Sequence, residues 1–180
     1  MRRFNLPLSE SERRSLVAGE NILLSGELIT ARDAAHQRLF SALNHGETIP
    51  IDLNSVTIYY AGPSPTMPGE VIGSIGPTTA GRMDSYMPTF INAGLRVTIG
   101  KGARNLPAKQ AMKDAGAVYL GAIGGAGALY ATCVKSVTVI AYPELQSEAI
   151  RSLIVEDFPV TVIIDANGID RYAKFAESGE

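Results

Sequence analysis

Gly76-Pro77-Thr78-Thr79-Ala80-Gly81-Arg82-Met83-Asp84 joins two segments of different periodicity. Upstream, Val71-Ile72-Gly73-Ser74-Ile75 alternates apolar with small residues, as a strand does. Downstream, Met83, Met87, Phe90, Ile91 and Leu95 recur at near-helical spacing, as the buried stripe of a helix does. A strand that hands over to a helix through a glycine-rich turn is the unit of an α/β fold. Thr78 or Thr79 is expected at the helix N-cap, its hydroxyl satisfying an orphan amide. The remaining first-turn amides would face an incoming carboxylate or phosphate. Arg82, one turn in, adds a planar fork that matches a carboxylate. The same residues also suit an ordinary cap and a solvated surface arginine.

Two more junctions of this kind lie outside that stretch. Thr30-Ala31-Arg32-Asp33-Ala34-Ala35-His36 puts a capping threonine before an arginine, after the strand-like Ile22-Leu23-Leu24. Val97-Thr98-Ile99 runs into Gly100-Lys101-Gly102, a strand that ends in a lysine between two glycines. Three strand ends offering Arg32, Arg82 and Lys101 suggest a site for a doubly negative small molecule.

Working further outward, strands are expected near 21–24, 56–60, 70–75, 95–99, 116–120, 136–141 and 160–165. Helices are expected near 31–44, 79–93, 107–115, 125–132 and 170–176. Residues 1–18 read as an N-terminal arm and 19–180 as one α/β domain. The alternation predicts helices packed on a largely parallel sheet. The pair 56–60 and 70–75, separated by Pro63-Ser64-Pro65-Thr66-Met67-Pro68-Gly69, reads as adjacent β structure.

Composition narrows the function. The 180 residues are 46% hydrophobic, enough for one domain with a core. A net charge of −2 with 16 Lys plus Arg argues against a nucleic-acid surface, which needs a concentrated basic face. No apolar run approaches the roughly 20 residues of a membrane span. Met1 to Ser15 mixes four arginines with polar residues rather than a secretory core, so a cytoplasmic location is expected. Cys133 is the only cysteine, so an intrachain disulfide or a cysteine-ligated cluster cannot be built from this chain alone. His45 reads as a helix-end residue and Cys133 as a small core residue. The glycines of Gly121 to Gly127 lack the G-x-G-x-x-G order of a dinucleotide site, and Gly94 to Lys101 lacks the P-loop spacing. The Gly121 to Gly127 turn reads instead as a place of close backbone approach, either to the helix beside it or to a partner subunit.

The segments Tyr59-Tyr60-Ala61-Gly62-Pro63, Gly76 to Tyr86, Lys101-Gly102, Tyr119-Leu120-Gly121-Ala122-Ile123-Gly124-Gly125, Tyr142-Pro143-Glu144-Leu145 and Val155-Glu156-Asp157-Phe158-Pro159 closely resemble the C-terminal half of class I fumarases. In two-subunit versions that half is a separate beta chain, and the L-tartrate dehydratase beta subunit is similar to it. Ala80-Gly81 before Arg82 and Asp84 after it resemble the fumarase form. The resemblance runs from about Gly19 onward and implies a swivelling β/β/α domain.

It also implies reversible hydration of fumarate to (S)-malate. Arg32, Arg82 and Lys101 would hold the substrate carboxylates, Thr78 would be the base, and Thr79 would hydrogen-bond the substrate. Asp33 and Asp84 would be orienting groups or first-turn acids, and His36 would either face the site or pack beneath it. A 4Fe-4S cluster acting as Lewis acid would be carried by a partner alpha subunit, with the general acid also there. The expected assembly is a hetero-oligomer of two alpha and two beta chains. The alternatives are an L(+)-tartrate dehydratase beta subunit and, in another class, a non-catalytic dicarboxylate-binding or scaffolding subunit.

Overall fold

In the computed structural model, which describes residues 1–173, a seven-stranded sheet forms the centre of the chain. The elements run β1 (Arg2–Asn5), α1 (Glu10–Ser15), β2 (Asn21–Thr30), α2 (Asp33–Asn44), β3 (Thr57–Tyr59), a 3-10 segment (Ala80–Tyr86), α3 (Met87–Asn92), β4 (Val97–Gly100), α4 (Leu106–Asp114), β5 (Val118–Gly121), α5 (Gly127–Cys133), β6 (Val134–Ala141), a second 3-10 segment (Pro143–Glu148) and β7 (Ile150–Ile164). The strand order is β1-β2-β3-β4-β5-β7-β6, and β7 also pairs with β2. That extra pairing closes β2, β3, β4, β5 and β7 into a ring. β1 through β5 pair in parallel, whereas β7 runs antiparallel to β2, β5 and β6. The expected largely parallel sheet with flanking helices, in a single domain, is therefore the architecture found.

Length explains the closure. β2 has 10 residues and β7 has 15, so each can hold two neighbours on one edge. β2 pairs with β1 over Ile22 to Ser25 and with β3 at Ile29 and Thr30. Both faces of the central strands are covered, as parallel strands require. Tyr59, Ile99 and Leu120 join Leu24, Leu153, Phe158 and Tyr130 of α5 in one core. On the opposite face, Ile58, Tyr60 and Tyr119 meet Leu39 of α2, Phe90 of α3 and Met112 of α4. Among the described residues no helix is long and apolar enough to cross a membrane.

Three sequence expectations are corrected. Residues 70–75 form no strand. Ile72 and Ile75 are buried as the alternation predicted, but the backbone is satisfied irregularly. Ser74 accepts from the Ser64 amide (2.9 Å), Ile75 donates to the Gly127 carbonyl (3.0 Å), and the Tyr59 hydroxyl donates to the Ile75 carbonyl (2.7 Å). The helix expected over 79–93 is split into the 3-10 segment and α3. Pro88, at the start of α3, has no amide proton and suits only a helix's first turn. Finally, residues 2–5, inside the segment read as an arm, form strand β1, and α1 follows under a Ser9/Glu12 capping box. The helix expected over 170–176 extends outside the described residues.

Candidate active site

The parallel strands point their carboxyl ends the same way, and sheets of this kind collect ligands there. Arg32 lies just beyond β2, Lys101 just beyond β4, and Gly124 just beyond β5. The Thr78-Thr79 segment is laid across the ends of β3 and β4 by backbone bonds. The Thr78 amide donates to the Tyr60 carbonyl (2.6 Å), the Lys101 amide to the Thr78 carbonyl (3.2 Å), and the Ala80 amide to the Lys101 carbonyl (2.8 Å). The three cationic residues singled out from sequence thus lie on neighbouring segments at one end of the ring.

Side chains tie the cluster together. Arg32 donates through Nε to Glu148 Oε1 (2.9 Å) and through Nη1 to Thr78 Oγ1 (3.4 Å). Arg82 donates through Nε to Asp33 Oδ1 (2.8 Å), and Asp33 directly follows Arg32 in the chain. Thr79 and Lys101 face each other in an isolated parallel bridge, and both are exposed. Gly124 lies under Lys101: a Cβ there would stand 3.4 Å from Cδ and 3.6 Å from Nζ of the lysine. The close approach read into the glycine-rich turn is therefore, in part, to Lys101.

The capping expectations are corrected. Arg32, not Thr30, is the N-cap of α2; Thr30 is buried, and its hydroxyl accepts from the Arg151 amide (3.2 Å). Thr79 is the N-cap of the 3-10 segment, but its hydroxyl caps no amide, and the Ala80 amide is already taken by Lys101. The positive groups offered at this end of the ring are therefore the side chains of Arg32, Arg82 and Lys101 rather than the Ala80 amide.

His36, expected to face the site or pack beneath it, and Asp84, expected as an orienting group or first-turn acid, both lie behind the cluster. His36 is fully buried, stacked on Phe90 (5.0 Å between ring centres) and edge-on to Tyr60 (5.2 Å). Its Nδ1 lies 3.2 Å from the Arg32 carbonyl, and its Nε2 has no partner among the described residues. Burial holds its pKa down to about 3, so the ring is neutral and Nδ1 donates to the carbonyl. Asp84 turns away from Arg82. It accepts from Arg104 Nε and from the Asn105 amide (2.6 Å). Arg104 lies between the rings of Tyr60 (5.4 Å) and Tyr119 (5.2 Å). Burial alone would lower the Arg104 pKa, but Tyr60 and Asp84 outweigh it and raise the value. This buried pair fixes the turn after β4 against the 3-10 segment that carries Arg82.

Sequence reasoning passed over Glu148 and Arg104. Glu148 lies 116 positions from Arg32, so its only sequence signal was proximity to the quoted Tyr142-Pro143-Glu144-Leu145 motif. Cys133 ends α5 with its thiol toward the Leu129 and Asp157 carbonyls, and burial raises its pKa. Among the described residues no group of three or more His, Cys, Asp or Glu is placed to hold a metal ion. A 4Fe-4S cluster takes several thiolates, and a chain with one cysteine does not supply that donor set.

The chemistry available is therefore a cationic edge beside paired hydroxyls. The side chain of Arg32 is 28% exposed and that of Arg82 is 56% exposed, so the cluster is open on one side. Over residues 2–175 the sequence matches the family described as the fumarase C-terminus. The chain belongs to that family. It is 44% identical over 158 residues to fumarate hydratase 2 of Leishmania major, covering 87% of this chain and 28% of that protein. It is 39% identical over 170 residues to the aerobic class I fumarate hydratase of Escherichia coli K12, covering 92% of this chain and 31% of that protein. The fumarase C-terminal chain thus spans about three tenths of those relatives. It also covers 88% of a Methanocaldococcus jannaschii protein provisionally named L(+)-tartrate dehydratase subunit beta, at 36% identity over 171 residues.

Proposed function

We propose that this chain supplies the carboxylate-binding half of a hydro-lyase that interconverts fumarate and (S)-malate. The observation that carries the proposal is the gathering of Arg32, Thr78, Thr79, Arg82 and Lys101 at one end of the ring, in a chain of the fumarase C-terminal family. Arg32 and Arg82 bind the two carboxylates, and Lys101 adds a third positive charge. In the dehydration direction, Thr78 removes a proton from the carbon beside a carboxylate, leaving an intermediate with high charge on that carboxylate. Preorganised cations stabilise such charge in proportion to how dry the site is. The guanidinium of Arg32 beside Thr78 Oγ1 favours its alkoxide, which a free threonine does not reach. In the hydration direction, the same hydroxyl returns the proton to carbon.

Half of such a site is missing from this chain. An arginine as exposed as Arg82 acts in a high dielectric, where its field is weak. A partner that covers the edge would dry it and, in this reading, bring the cluster and the general acid. The name of the Methanocaldococcus relative, a beta subunit, supports a second kind of subunit as that partner. In this reading the partner is an alpha chain that carries the cluster, and the hetero-oligomer is cytoplasmic. The same relative supports one further reading, dehydration of L(+)-tartrate. The test is assembly of the chain with its alpha partner under strict exclusion of oxygen, followed by rates on fumarate, malate and L-tartrate. Turnover of fumarate and malate by the complex alone is expected. A preference for tartrate would replace the substrate, and an inactive iron-replete complex would leave a binding or scaffolding subunit.

A further inference from the structure

Both arginines of the cluster are anchored through the same atom. Arg32 commits Nε to Glu148 (2.9 Å) and Arg82 commits Nε to Asp33 (2.8 Å). A guanidinium can grip a carboxylate side-on, through Nε and one Nη, or end-on, through both Nη atoms. With Nε taken, the side-on grip is closed and the end-on grip is left. For Arg32 that edge includes the Nη1 that reaches Thr78 Oγ1 (3.4 Å), so it faces the threonine pair.

We infer that Glu148 is a positioning residue, which turns the end-on edge of Arg32 toward Thr78 and the substrate carboxylate beside it. The inference rests on the fumarase-type reading of this site. Glu148 is suited to the task because its backbone is pinned. It ends the segment Pro143–Glu148, in which Gln146 has a positive φ of 52°, a strained value for a side-chain-bearing residue. Arg151 holds that conformation, donating to the carbonyls of Gln146 (2.6 Å), Ser147 (3.3 Å) and Ala149 (3.1 Å). Arg38 adds an ion pair to Glu144 and lies over the Tyr142 ring (5.0 Å). Across from this segment is Gly62, where a Cβ would come within 2.5 Å of the Ser147 carbonyl oxygen and 3.2 Å of Arg32 Nε. Glutamate, segment and arginine are thus packed as one unit.

A carboxylate placed there for its charge alone would repel a dianion, and removing it would tighten substrate binding. A positioning role has the opposite sign. The experiment is a double-mutant cycle in the assembled complex, with Glu148→Ala and Glu148→Gln each made in the wild-type and Arg32→Lys backgrounds. In the wild-type background Glu148→Ala is expected to lower kcat/KM for fumarate about 10- to 100-fold, the usual effect of losing a supporting hydrogen bond. Glu148→Gln, which keeps an acceptor oxygen without the charge, falls between. In the Arg32→Lys background Glu148→Ala is expected to change nothing further, because its effect passes through Arg32. Additive losses, or a lower KM in Glu148→Ala, would overturn the inference. A second readout needs no partner: the Arg32 Nε–H resonance of the isolated chain should be protected from exchange in wild type and lost in Glu148→Ala. An unprotected wild-type resonance would overturn the inference by itself. An inactive wild-type complex with a protected resonance would instead overturn the fumarase reading.

Discussion

Arg82 and Asp84 are two positions apart and lead opposite lives. Arg82 projects to the open edge, held among the described residues by Asp33, while Asp84 is buried against Arg104. Replacing Arg82 by lysine keeps the charge and loses the bidentate fork. The Arg82→Lys complex should therefore lose about 100-fold in kcat, as expected for one donor to developing charge. Its melting temperature should match wild type, because the side chain is 56% exposed; wild-type kinetics would remove Arg82 from the site. Asp84→Ala should do the reverse. It leaves the Arg104 cation buried and uncompensated, a change that costs about 3–5 kcal/mol, measurable by urea unfolding. That Arg32, Arg82 and Lys101 share one end of the ring was legible in the sequence, because each lies past a strand-like run; Thr78 and Thr79 were marked there as cap candidates, and as substrate contacts only through the family resemblance. Glu148 and Arg104 were not. Their roles come from partners 116 and 20 positions away, which no local pattern reveals.

At the scale of elements, periodicity and hydrogen bonding part company. The alternation at Val71 to Ile75 marked real burial of Ile72 and Ile75, yet the strand read as its neighbour was already paired on both sides. β3, read as its neighbour, has β2 on one side and β4 on the other. Strand β1 was invisible because it has four residues and buries only Phe4. The Ser9/Glu12 capping box of α1, by contrast, was written in the sequence and passed over. The segment Pro143–Glu148 has no periodic signature at all, since its shape depends on Arg151 and on a missing side chain at Gly62. Gly62→Ala should therefore displace this segment and with it Arg32. The expected result is a rise in KM for fumarate at near-wild-type secondary structure by circular dichroism, and an unchanged KM would show that the segment tolerates the extra methyl.

For the whole molecule, the pairing of β7 with both β2 and β5 makes the fold one closed unit, so a buried titratable group packed against it should be felt as global stability. His36 is such a group, on α2 and buried between Phe90 of α3 and Tyr60 behind the cation cluster. Folding lowers its pKa from 6.5 to about 3, chiefly through burial. Between those values the unfolded chain binds a proton that the folded chain refuses, so acidification favours unfolding by up to tenfold in the equilibrium constant per pH unit. Above pH about 6.5 both states carry a neutral ring, and the residue contributes no slope. The acids whose pKa values folding lowers, Glu10, Glu12, Asp52, Glu144 and Asp157, have ordinary values of 4.5 or 3.8. Their loss of stabilisation begins only as the pH falls toward those values, so pH 5 to 6.5 is the window in which His36 stands apart from them. Urea unfolding across that window should show stability that falls steadily toward pH 5. In His36→Phe, whose ring can stack on Phe90 without a proton to refuse, the same series should be flatter whatever the variant's absolute stability. An equal slope in both proteins would mean that His36 reaches solvent and titrates in the folded state.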